Sequence, residues 1–569
     1  MQEKKLTAPG EYAQKIWLDS YEDGVQPSID FKETLIPHNL EKSARDFPDN
    51  PALIFQGFSL SYREFNEMVA RFAGALKKLG IKKNDSVAIL LPNCIPCVVA
   101  YYAILKIGAV VVLNNPLYSD RELVHQFTDS NAVLLVTIDL LADRMVRLRN
   151  QTSIKKIIYT CLGDYLPFGK RILFKVAGPW KGLCKKVRPA QDLYSFKKLI
   201  SSASPDYSTA DICFDDVAMY QYTGGTTGVS KGVMLTHKNI SCQIQQIRAW
   251  FPSFRKGKEI MLGALPIFHV FGMSVSMNLA VRMGCANVLV PKPQPGPLLE
   301  AISRFRVSFA PMVPTMFIGI LEHPDLDKTD LTCIKGCFSG SAPLPVEVIH
   351  NFEKKTGAII VEGFGLTEST PVTHINPFMG TRKPGSIGLP IPGTECRIVD
   401  LEDKTREMPV GEPGELLIRG PQVMKGYLNN PEETSKTLTE DGFLCTGDVA
   451  KMDEQGYFYI VDRIKDMIIS GGYNVYPRDI DEVLFEHPKI LEACSIGIPH
   501  KKRGEAVKSF VVLKQGEQMT QQQVIDYCAT KLAKYKLPIE IEFTDSLPKS
   551  NIGKILRKDL RIMEENRRQ

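Results

Sequence analysis

The stretch SVAILLPNCIPCVVAYYAILKIGAVVVL, residues 86–113, decides the fold class of this chain. Its first six and last five residues are short apolar runs typical of buried strands, and the segment near Pro96–Lys106 has the length and composition of a helix. The part from Cys97 to Leu113 is apolar enough to be compared with a membrane span. Lys106 interrupts that part, Gly108 follows and a β-branched run ends it, so we expect a helix, a turn and a strand, with no transmembrane anchor.

The same alternation continues outward from this stretch. Strand signals recur at Ala132–Ile138, Lys155–Tyr159 and Cys285–Val290, with helical patterns between them. Strands that alternate with helices in this way favour parallel sheets covered by helices. From about Gly385 to Tyr459 the pieces become short and rich in turns, which is typical of hairpins or a small barrel.

The last hundred residues return to a mixed pattern, with helices expected at Val475–Glu486 and Thr520–Lys534 and a strand at Lys508–Leu513. The sequence therefore predicts an α/β protein. Its large N-terminal domain contains helix-covered, mostly parallel sheets and a small β-barrel-like subdomain, and its C-terminal domain is small and α+β. The expected boundaries are 1–462 for the N-terminal domain with the β-rich subdomain at about 385–460, 463–466 for a hinge, and 467–569 for the C-terminal domain.

Composition excludes several classes of protein. The chain has 569 residues, of which 44% are hydrophobic and 24% charged, as in ordinary soluble globular proteins with more than one domain. The net charge of +6 is small for this length and gives no argument for a nucleic-acid partner. No secretory signal opens the chain, so reduced thiols in a cytoplasmic protein are expected. Cys94 and Cys97 have no second pair nearby, which favours ordinary buried thiols over a zinc site.

The segment 165–190 differs from its surroundings because all its charged residues are basic. Aromatic and aliphatic side chains are interleaved with these charges, a combination that suits an anionic membrane surface. The alternative is a surface loop whose apolar side packs on the domain, and the glycines 169, 178 and 182 with Pro179 are expected to interrupt any long amphipathic helix. Both interpretations stay open. The basic residues are Lys170, Arg171, Lys175, Lys181, Lys185, Lys186 and Arg188.

The strongest chemical signal is the run Tyr222-Thr-Gly-Gly-Thr-Thr-Gly-Val-Ser-Lys-Gly232. Its glycines let the backbone approach a phosphate and point N–H groups at it, and its threonine hydroxyls add donors that can also join a metal shell. Lys231 adds a positive charge, and the apolar stretch Val217–Tyr222 predicts a strand before the loop. The run is not a Walker A loop, which needs Gly-Lys-Ser/Thr, because Lys231 follows Ser230 and precedes Gly232.

Further motifs follow this loop in order. They are Leu265–Gly272 (LPIFHVFG), Ser339–Pro343 (SGSAP), Gly363–Glu368 (GFGLTE), Thr446–Asp448 (TGD), Asp462–Asn474 (DRIKDMIISGGYN) and Pro548–Lys554 (PKSNIGK). Each is weak alone, but the ordered set resembles the adenylate-forming superfamily over essentially the whole chain. That superfamily contains acyl- and aryl-CoA ligases, peptide-synthetase adenylation domains and luciferases.

Within the superfamily, the sequence is most similar to bacterial long-chain fatty acid–CoA ligases. The paired Gly224 and Gly225, the segment Asn115–Glu122 and the opening Lys15–Leu18 carry this likeness. One residue departs from the common pattern, because Ser230 replaces the proline that usually precedes the loop lysine. We expect this change to leave the loop slightly less rigid without removing a phosphate-binding group.

The resemblance implies two half-reactions. A carboxylate attacks the α-phosphate of ATP to give an acyl-adenylate and pyrophosphate, and the thiol of coenzyme A then displaces AMP. The implied catalytic residues are Thr223, Lys231, Glu368 and Lys554, of which Lys554 reaches the α-phosphate and the carboxylate. Thr223 and Glu368 would also hold Mg²⁺, which prefers oxygen ligands.

The resemblance also implies the contacts with ATP and coenzyme A. Phe364 would stack on adenine, Asp448 would accept both ribose hydroxyls, and Arg463 would add a ribose or phosphate contact. Lys465 occupies the hinge position about which the mobile C-terminal domain turns between the two steps. The full set is Thr223, Gly224, Gly225, Thr226, Thr227, Gly228, Lys231, Ser339, Gly340, Ser341, Gly363, Phe364, Gly365, Thr367, Asp448, Arg463, Lys465, Gly471, Gly472, Tyr473 and Lys554, of which the three residues 471–473 would line the entry of coenzyme A.

The expected acyl pocket is bordered by His269, Val270, Phe271, Gly272, Met273, Thr315, Met316 and Gly340. A long-chain fatty acid is the expected substrate, with a medium-chain or aryl acid of the 4-coumarate type as the nearest alternative. A luciferase-like oxygenase and a non-catalytic lipid-binding scaffold also stay open. A cytoplasmic protein is expected, with contact to the cytoplasmic face of the membrane through 165–190 and a homodimer both left open.

Overall fold

The computed structural model describes residues 11–223, 230–471, 473–501, 503–549 and 555–568. Contacts divide the chain into two compact units. The larger unit comprises the described residues of 21–395 and 419–444, and the smaller unit comprises those of 1–20, 396–418 and 445–569. The expected hinge at 463–466 lies inside the smaller unit, and the division into 1–462 and 467–569 stays a prediction.

The strands alternate with helices through the first 360 residues and then dominate. In chain order the first strands are β1 Pro51–Phe55, β2 Phe58–Ser61, β3 Ser86–Leu90, β4 Val110–Leu113, β5 Ala132–Ile138, β6 Lys156–Thr160, β7 Leu193–Ser195, β8 Val217–Thr223, β9 Lys231–Thr236, β10 Ile260–Gly263, β11 Ala286–Leu289, β12 Phe309–Met312 and β13 Gly336–Ser339. The remaining strands are β14 Ile359–Gly365, β15 Val372–Ile375, β16 Leu389–Pro390, β17 Glu395–Val399, β18 Gly414–Arg419, β19 Gly426–Tyr427, β20 Leu444–Met452, β21 Phe458–Arg463, β22 Ile468–Ser470, β23 Tyr473–Val475, β24 Ile490–His500, β25 Gly504–Leu513 and β26 Glu540–Phe543.

The α-helices are α1 Glu11–Gln14, α2 Ile36–Asp46, α3 Tyr62–Lys78, α4 Ile95–Lys106, α5 Asp120–Asp129, α6 Asp139–Leu148, α7 Phe168–Ala177, α8 Phe196–Ser202, α9 His237–Trp250, α10 Leu279–Arg282, α11 Pro295–Phe305, α12 Pro314–Leu321, α13 Val346–Thr356, α14 Pro431–Thr437, α15 Pro477–Phe485, α16 Gln521–Ala529 and α17 Arg557–Arg568. A π-helix spans Gly272–Asn278. Several helices begin with a serine or threonine cap and a side chain that returns the hydrogen bond, as at the start of α3, where Ser61 and Glu64 form a capping box.

Two large sheets form the larger unit. The nine-stranded sheet has the order β16-β15-β14-β13-β12-β10-β11-β1-β2, and the eight-stranded sheet has the order β19-β9-β8-β4-β3-β5-β6-β7. Neighbouring strands such as β3 and β4, β5 and β6, and β12 and β13 are parallel. The predicted strands at 86–91, 109–113, 132–138, 155–159, 217–222 and 285–290 are therefore confirmed to within one residue at each end.

Helix α4 lies in the interior of this unit. All twelve of its residues are buried, and its last residue, Lys106, forms an ion pair with Glu41. An apolar helix that is buried on every side has no need of an amphipathic pattern, which explains why this stretch resembled a membrane span. Within the described ranges, no helix combines the length and the apolar character required to cross a bilayer.

The smaller unit contains two sheets, one of four strands in the order β17-β18-β20-β21 and one of five strands built around the antiparallel pair β24 and β25. The predicted helix at Thr520–Lys534 is wrong at its C-terminal end, since α16 ends at Ala529. The hydroxyl of Thr530 donates to the carbonyl oxygen of Tyr527 at 2.7 Å, a local bond that competes with continuation of the helix. The predicted strand at Lys508–Leu513 is four residues longer at its start, at Gly504.

The basic segment 165–190 contains one short helix. Helix α7 runs through Gly169 and ends before Gly178. Phe174 packs against Gly163 of the domain body, where a Cβ atom would lie 2.4 Å from its ring. The prediction that no long helix forms holds, because α7 has ten residues, but a short amphipathic helix is present.

Candidate functional site

The loop of the strongest motif connects two antiparallel strands. In β8 and β9, Thr223 lies opposite Lys231 and Tyr222 opposite Gly232. The predicted strand before the loop is confirmed, and the hairpin register places the threonine hydroxyl and the lysine on the two strands that flank the loop. Five predicted phosphate-binding residues, Gly224, Gly225, Thr226, Thr227 and Gly228, lie outside the described residues.

Lys231 belongs to a compact cluster of charged and aromatic groups. Its ammonium group forms an ion pair with Glu433 of α14 and lies 5.2 Å from the centre of the Tyr427 ring. The Tyr427 hydroxyl donates to Glu368 Oε1 at 2.8 Å. Burial, together with the Glu368 carboxylate, raises the pKa of Tyr427 above its usual value, so the phenol keeps its proton and holds the carboxylate. Two predicted catalytic residues, Lys231 and Glu368, are thereby connected through Tyr427.

This cluster depends on residues far apart in sequence. Strand β19 pairs with β9, with Tyr427 opposite Val233, and so brings Tyr427 beside Lys231. The side chain of Asn430 accepts a hydrogen bond from the Glu433 N–H at the start of α14. Sequence analysis missed Tyr427 and Glu433, since neither belongs to a motif that carries chemistry by its spacing.

Ser230, the residue that replaces the usual proline, is held by helix α5. The carbonyl oxygen of Ser230 lies 2.9 Å from His125 Nε2, and Gln126 Nε2 donates to its hydroxyl at 3.3 Å. Gln126 is itself fixed, because Asn114 donates to its side-chain oxygen at 2.6 Å. The hydrogen bonds of α5 thus replace part of the rigidity that proline would give to the end of the loop.

A cavity in the larger unit brings together residues of three motifs. Its wall is mostly apolar. The described residues that line it are Ile247, Phe251, His269, Val270, Phe271, Val275, Phe338, Ser339, Gly340, Ser341, Val361, Gly363, Phe364, Gly365, Leu366, Thr367, Pro371, Val372 and Ile375. Predicted acyl-pocket residues and predicted nucleotide-binding residues therefore share one cavity.

Four predicted acyl-pocket residues are not among those lining residues. Gly272 and Met273 are buried in the π-helix, Met316 belongs to a hydrophobic core cluster, and Thr315 of α12 is exposed. These side chains do not border the cavity. Their assignment as substrate-binding residues stays a prediction.

Two glycines of the cavity wall are required by close contacts. A Cβ atom added at Gly365 would lie 1.8 Å from the carbonyl oxygen of Pro371, which no side chain tolerates. At Gly340 an added Cβ would lie 3.2 Å from the ring of Phe271, inside the cavity. The absence of a side chain at Gly365 therefore lets the backbone of Pro371 approach closely, and its absence at Gly340 leaves space beside Phe271.

Ser339, at the end of β13, presents a polar group to the cavity. Its hydroxyl is buried and has no hydrogen-bond partner among the described residues. A buried hydroxyl without a partner costs free energy unless a ligand or water satisfies it. The position is thus suited to a polar group of a ligand beside an otherwise apolar wall.

The motif residues that follow His269 lead into the π-helix Gly272–Asn278. All seven of its residues are buried. Ser274 donates to the carbonyl oxygen of Thr370 at 2.8 Å, which connects the π-helix to the segment after Glu368. π-Helices are rare and often occur at functional sites, and no sequence pattern predicted this one.

In the smaller unit, Asp448 and Arg463 are paired across β20 and β21. Arg463 Nε donates to Asp448 Oδ1 at 3.0 Å, and the Asp448 side chain is 2% exposed. The backbone N–H of Asp448 donates to the hydroxyl of Thr446 at 3.1 Å, which in turn donates to the carbonyl oxygen of Leu416 at 2.7 Å. The predicted ribose-binding carboxylate is therefore rigidly held.

The predicted hinge and the residues expected to line the coenzyme A entry also belong to the smaller unit. Lys465 is exposed, and the neighbouring Asp466 accepts a hydrogen bond from Arg561 at 2.8 Å. Gly471 has a φ of 62°, which favours glycine, and the ring of Tyr473 stacks on Tyr535 at 4.7 Å. The predicted Gly472 and Lys554 lie outside the described residues.

Most of the apolar cavity wall was absent from the sequence prediction. Ile247 and Phe251 come from the end of α9, and Phe338, Val361 and Ile375 come from central strands. Such residues have the same pattern as ordinary core residues, so no sequence signal distinguishes them.

Comparison with known proteins gives a consistent result. Residues 40–428 match the family model described as AMP-binding enzyme, and residues 479–554 match that of the AMP-binding enzyme C-terminal domain. The chain is 41% identical to the long-chain-fatty-acid–CoA ligase of Bacillus subtilis over 97% of this chain and 98% of that relative. It is 37% identical to the long-chain-fatty-acid–CoA ligase of an Escherichia coli O6:H1 strain over 96% and 98% of the two chains.

Solved structures agree with this fold. The ATP-bound MatB of Rhodopseudomonas palustris is 28% identical, with a TM-score of 0.82 over 94% of this chain and 100% of that one. The anthranilate CoA ligase AuaEII in complex with anthranoyl-AMP is 26% identical, with a TM-score of 0.81 over 93% and 97% of the two chains.

Proposed function

Because this chain belongs to the family of AMP-binding enzymes, we propose that it uses ATP to join a long-chain fatty acid to coenzyme A through an acyl-adenylate, with release of AMP and pyrophosphate. The observation that carries this proposal is the shared cavity. Its wall combines Phe271 of the acyl motif with Ser339 and Phe364 of the nucleotide motifs. An acyl-adenylate has an apolar half and a nucleotide half, and one cavity of this composition suits both.

The first half-reaction concentrates negative charge on the phosphates of ATP. Fixed cations and hydrogen-bond donors stabilise such charge more than they stabilise the ground state. Lys231 supplies the cation and Thr223 a hydroxyl from the opposite strand, with the loop residues Gly224–Gly228 between them. In the structure Glu433 neutralises Lys231, so the phosphates must compete with this carboxylate for the ammonium group.

The family motifs assign the adenine to Phe364 and the ribose to Asp448. Phe364 provides an aromatic face for adenine, beside Ser339–Ser341 and Thr367. Asp448 accepts the ribose hydroxyls, since the carboxylate is buried and held in place by its backbone bonds and by Arg463. Lys554 contacts the α-phosphate and the fatty-acid carboxylate during adenylation.

The oxygen donors present fit a magnesium ion. Glu368 carries a carboxylate fixed by Tyr427, and Thr223 carries a hydroxyl, both hard ligands of the kind that Mg²⁺ prefers. When bound with ATP, the ion neutralises phosphate charge. The hydrogen bond from Tyr427 keeps the Glu368 carboxylate oriented.

The second half-reaction requires the thiol of coenzyme A to reach the acyl-adenylate. We assign its entry to Gly471, Gly472 and Tyr473, and assign the hinge of the C-terminal domain to Lys465. The exposed Tyr473 ring presents a flat apolar surface, and the space beside Gly471 leaves room for a narrow thiol-bearing arm. Rotation about a few backbone torsions at the hinge then replaces the contacts that the C-terminal domain makes during adenylation by those needed for thioester formation.

The apolar wall favours a hydrocarbon chain over a charged or strongly polar acid. Each buried methylene contributes about 0.8 kcal/mol, so a lengthening chain gains affinity until the cavity is full. An aryl or medium-chain acid is the alternative, because Phe251, Phe338 and Phe271 also provide faces for an aromatic ring.

Pyrophosphate release with a series of acids decides between these substrates. We expect activity to rise from acetate through octanoate to palmitate and to be low with cinnamate and 4-coumarate. A maximum at the aryl acids would overturn the fatty-acid assignment while leaving adenylation intact. Light emission or oxygen uptake would indicate a luciferase-like oxygenase, and binding of palmitate without any pyrophosphate release would indicate a non-catalytic scaffold.

We further propose that the protein is cytoplasmic and contacts anionic membranes through α7 and the residues after it. The side chains of Phe168, Ile172, Leu173 and Val176 are exposed, although an apolar surface of this size is normally covered. At 100° per residue they occupy an arc of about 140° on one face of the helix. Phe174, on the other face, packs on the domain body.

The positive charge of this surface favours an anionic membrane as its binding partner. Lys170, Arg171 and Lys175 flank the apolar face, and Trp180, which is 92% exposed, follows the helix. Basic residues beside aromatic and aliphatic groups match the anionic headgroups and the interface of a bilayer, from which a long-chain acid would also be drawn.

Flotation with liposomes tests this surface. We expect the protein to float with vesicles that contain phosphatidylglycerol, and the double variant Leu173→Glu/Val176→Glu to remain in the dense fraction. Met379→Glu is the matched control, because Met379 is exposed to the same extent as Val176, at 68%, but lies outside the segment. Equal flotation of both variants would refute the membrane proposal and would leave the ligase assignment unaffected.

Oligomeric state is a separate question. A homodimer is the expected alternative to a monomer, and light scattering of the purified chain distinguishes the two.

A further inference from the structure

Three side chains with metal-binding atoms lie together at the carboxyl ends of β5 and β6 in the eight-stranded sheet. One carboxylate oxygen of Asp139, Cys161 Sγ and Cys184 Sγ all lie within 4.8 Å of one another. Asp139 directly follows β5 and Cys161 directly follows β6. These strands are parallel neighbours in which Ile138 lies opposite Thr160, so the two residues emerge at the same edge. Cys184 reaches them from the segment that follows α7.

Backbone hydrogen bonds hold the Asp139 carboxylate of this cluster in place. Asp139 is 4% exposed, and its carboxylate accepts hydrogen bonds from the backbone N–H of Leu140 at 3.0 Å and of Lys185 at 3.1 Å. The sulfur atoms of Cys161 and Cys184 lie within 4.8 Å of this carboxylate and of each other. The arrangement is therefore formed by the backbone of three segments rather than by mobile surface side chains.

We infer that Asp139, Cys161 and Cys184 form a binding site for one zinc(II) ion. Thiolate sulfur and carboxylate oxygen are both zinc ligands, and a water molecule would complete the tetrahedron. With zinc–sulfur bonds of about 2.3 Å, two sulfurs of a tetrahedral site lie about 3.8 Å apart, which is compatible with the observed cluster.

Zinc binding changes protonation and leaves the oxidation state unchanged. Each thiol gives its proton to solvent as a zinc–sulfur bond forms, so the site contributes two thiolates and one carboxylate to a dication. The residual negative charge lies in a segment rich in lysine and arginine.

The site would fasten the exposed helix to the domain. Cys161 precedes α7 and Cys184 follows it, so a bound ion closes the loop between them and fixes both ends of the helix against the sheet edge. This role is independent of the ligase assignment. It concerns the same segment as the membrane surface but depends on different side chains.

Zinc titration of the full-length enzyme tests the inference. The protein is reduced, stripped with a chelator, incubated with zinc sulfate alone and desalted before elemental analysis. We expect one zinc ion per chain for the unmodified enzyme and for Cys213→Ser, the control, because Cys213 is an exposed free thiol elsewhere. Cys184→Ser and Asp139→Asn should each weaken binding by more than about tenfold.

Two readouts distinguish a zinc site from a disulfide and from zinc bound elsewhere on the surface. Cobalt(II) in place of zinc should give a sulfur-to-metal charge-transfer band that Cys184→Ser removes, and zinc should protect Lys181, Lys185 and Lys186 from trypsin only when Cys184 is present. Because Cys184 lies outside every helix and strand, Cys184→Ser should retain its melting temperature without metal. Equal zinc content in Cys184→Ser and Cys213→Ser would overturn the inference, as would absence of zinc together with loss of two hydrogens from the chain mass.

Discussion

Replacement of Asp448 by asparagine provides a quantitative test of the nucleoside assignment. Asp448 is 2% exposed and accepts a hydrogen bond from Arg463 Nε at 3.0 Å. The amide has the same shape and can still accept from Arg463. The Arg463 side chain is about one-third exposed and can also turn toward water, so the loss of this ion pair should cost no more than about 1 kcal/mol of stability.

The expected effect on ATP is larger than the effect on stability. A hydrogen bond from a ribose hydroxyl to a carboxylate contributes about 1.5–3 kcal/mol, and an amide oxygen is a weaker acceptor. If the charge-assisted part, about 1–1.5 kcal/mol, is lost from each of the two ribose hydrogen bonds, kcat/KM for ATP should fall about 25- to 150-fold, since each 1.4 kcal/mol is about a factor of ten. The melting temperature should change little.

Pyrophosphate release at varied nucleotide concentration is the assay, with ATP compared with 2′-deoxy-ATP and 3′-deoxy-ATP. The unmodified enzyme should prefer ATP strongly, and Asp448→Asn should lose most of that preference. Asp453→Asn is the control, since Asp453 belongs to the same hairpin but to no nucleotide motif. Its carboxylate accepts backbone bonds from Gln455 and Tyr457 at 3.0 Å and a bond from the Tyr459 hydroxyl at 3.1 Å. An equal loss by Asp448→Asn with all three nucleotides would refute the ribose assignment.

Three further predictions concern the two half-reactions and stability. Lys554→Ala should abolish acyl-adenylate formation and spare thioester formation from supplied acyl-adenylate, and equal loss of both would exclude the assigned role. Lys465→Pro should impair steady-state thioester synthesis, because proline fixes φ and removes an N–H, and full turnover would count against the hinge. Burial lowers the pKa of His374 to about 3. Below about pH 6.5 this histidine therefore binds a proton in the unfolded chain but stays neutral in the folded chain. Between pH 7 and pH 5 the free energy of unfolding, measured by denaturant titration, should therefore fall by about 2 kcal/mol. The variant His374→Gln should show a smaller fall, and an unchanged pH dependence in that variant would contradict the prediction.

Local patterns predicted the strands of the parallel sheets because each pattern is contained in a few consecutive residues. Strand β5 begins and ends at the predicted residues, and α4 was predicted to within one residue at its start. The same reasoning gave too long a helix at Thr520–Lys534, where a threonine side chain competes with the backbone. In the segment 165–190 it correctly predicted that no long helix forms, since α7 has ten residues and ends before Gly178.

The candidate site was predictable only where chemistry imposes a spacing. The glycine and threonine loop, Glu368 and Asp448 each carry a motif, but the partner of Lys231 is Glu433, 202 residues away. That pairing depends on β19 joining the edge of β9, a long-range contact that no local pattern encodes. The aliphatic and aromatic wall of the cavity was missed for the same reason, because burial beside a cavity and burial in a core leave the same sequence pattern.

The central claim is that this chain makes an acyl-adenylate as a separate first step. Exchange of labelled pyrophosphate into ATP in the absence of coenzyme A tests it most directly, because exchange requires that acyl-adenylate and pyrophosphate form reversibly on the enzyme. We predict exchange that depends on palmitate, needs no coenzyme A and is lost in Lys231→Met. Exchange that requires coenzyme A, or production of ADP in place of AMP, would contradict the account.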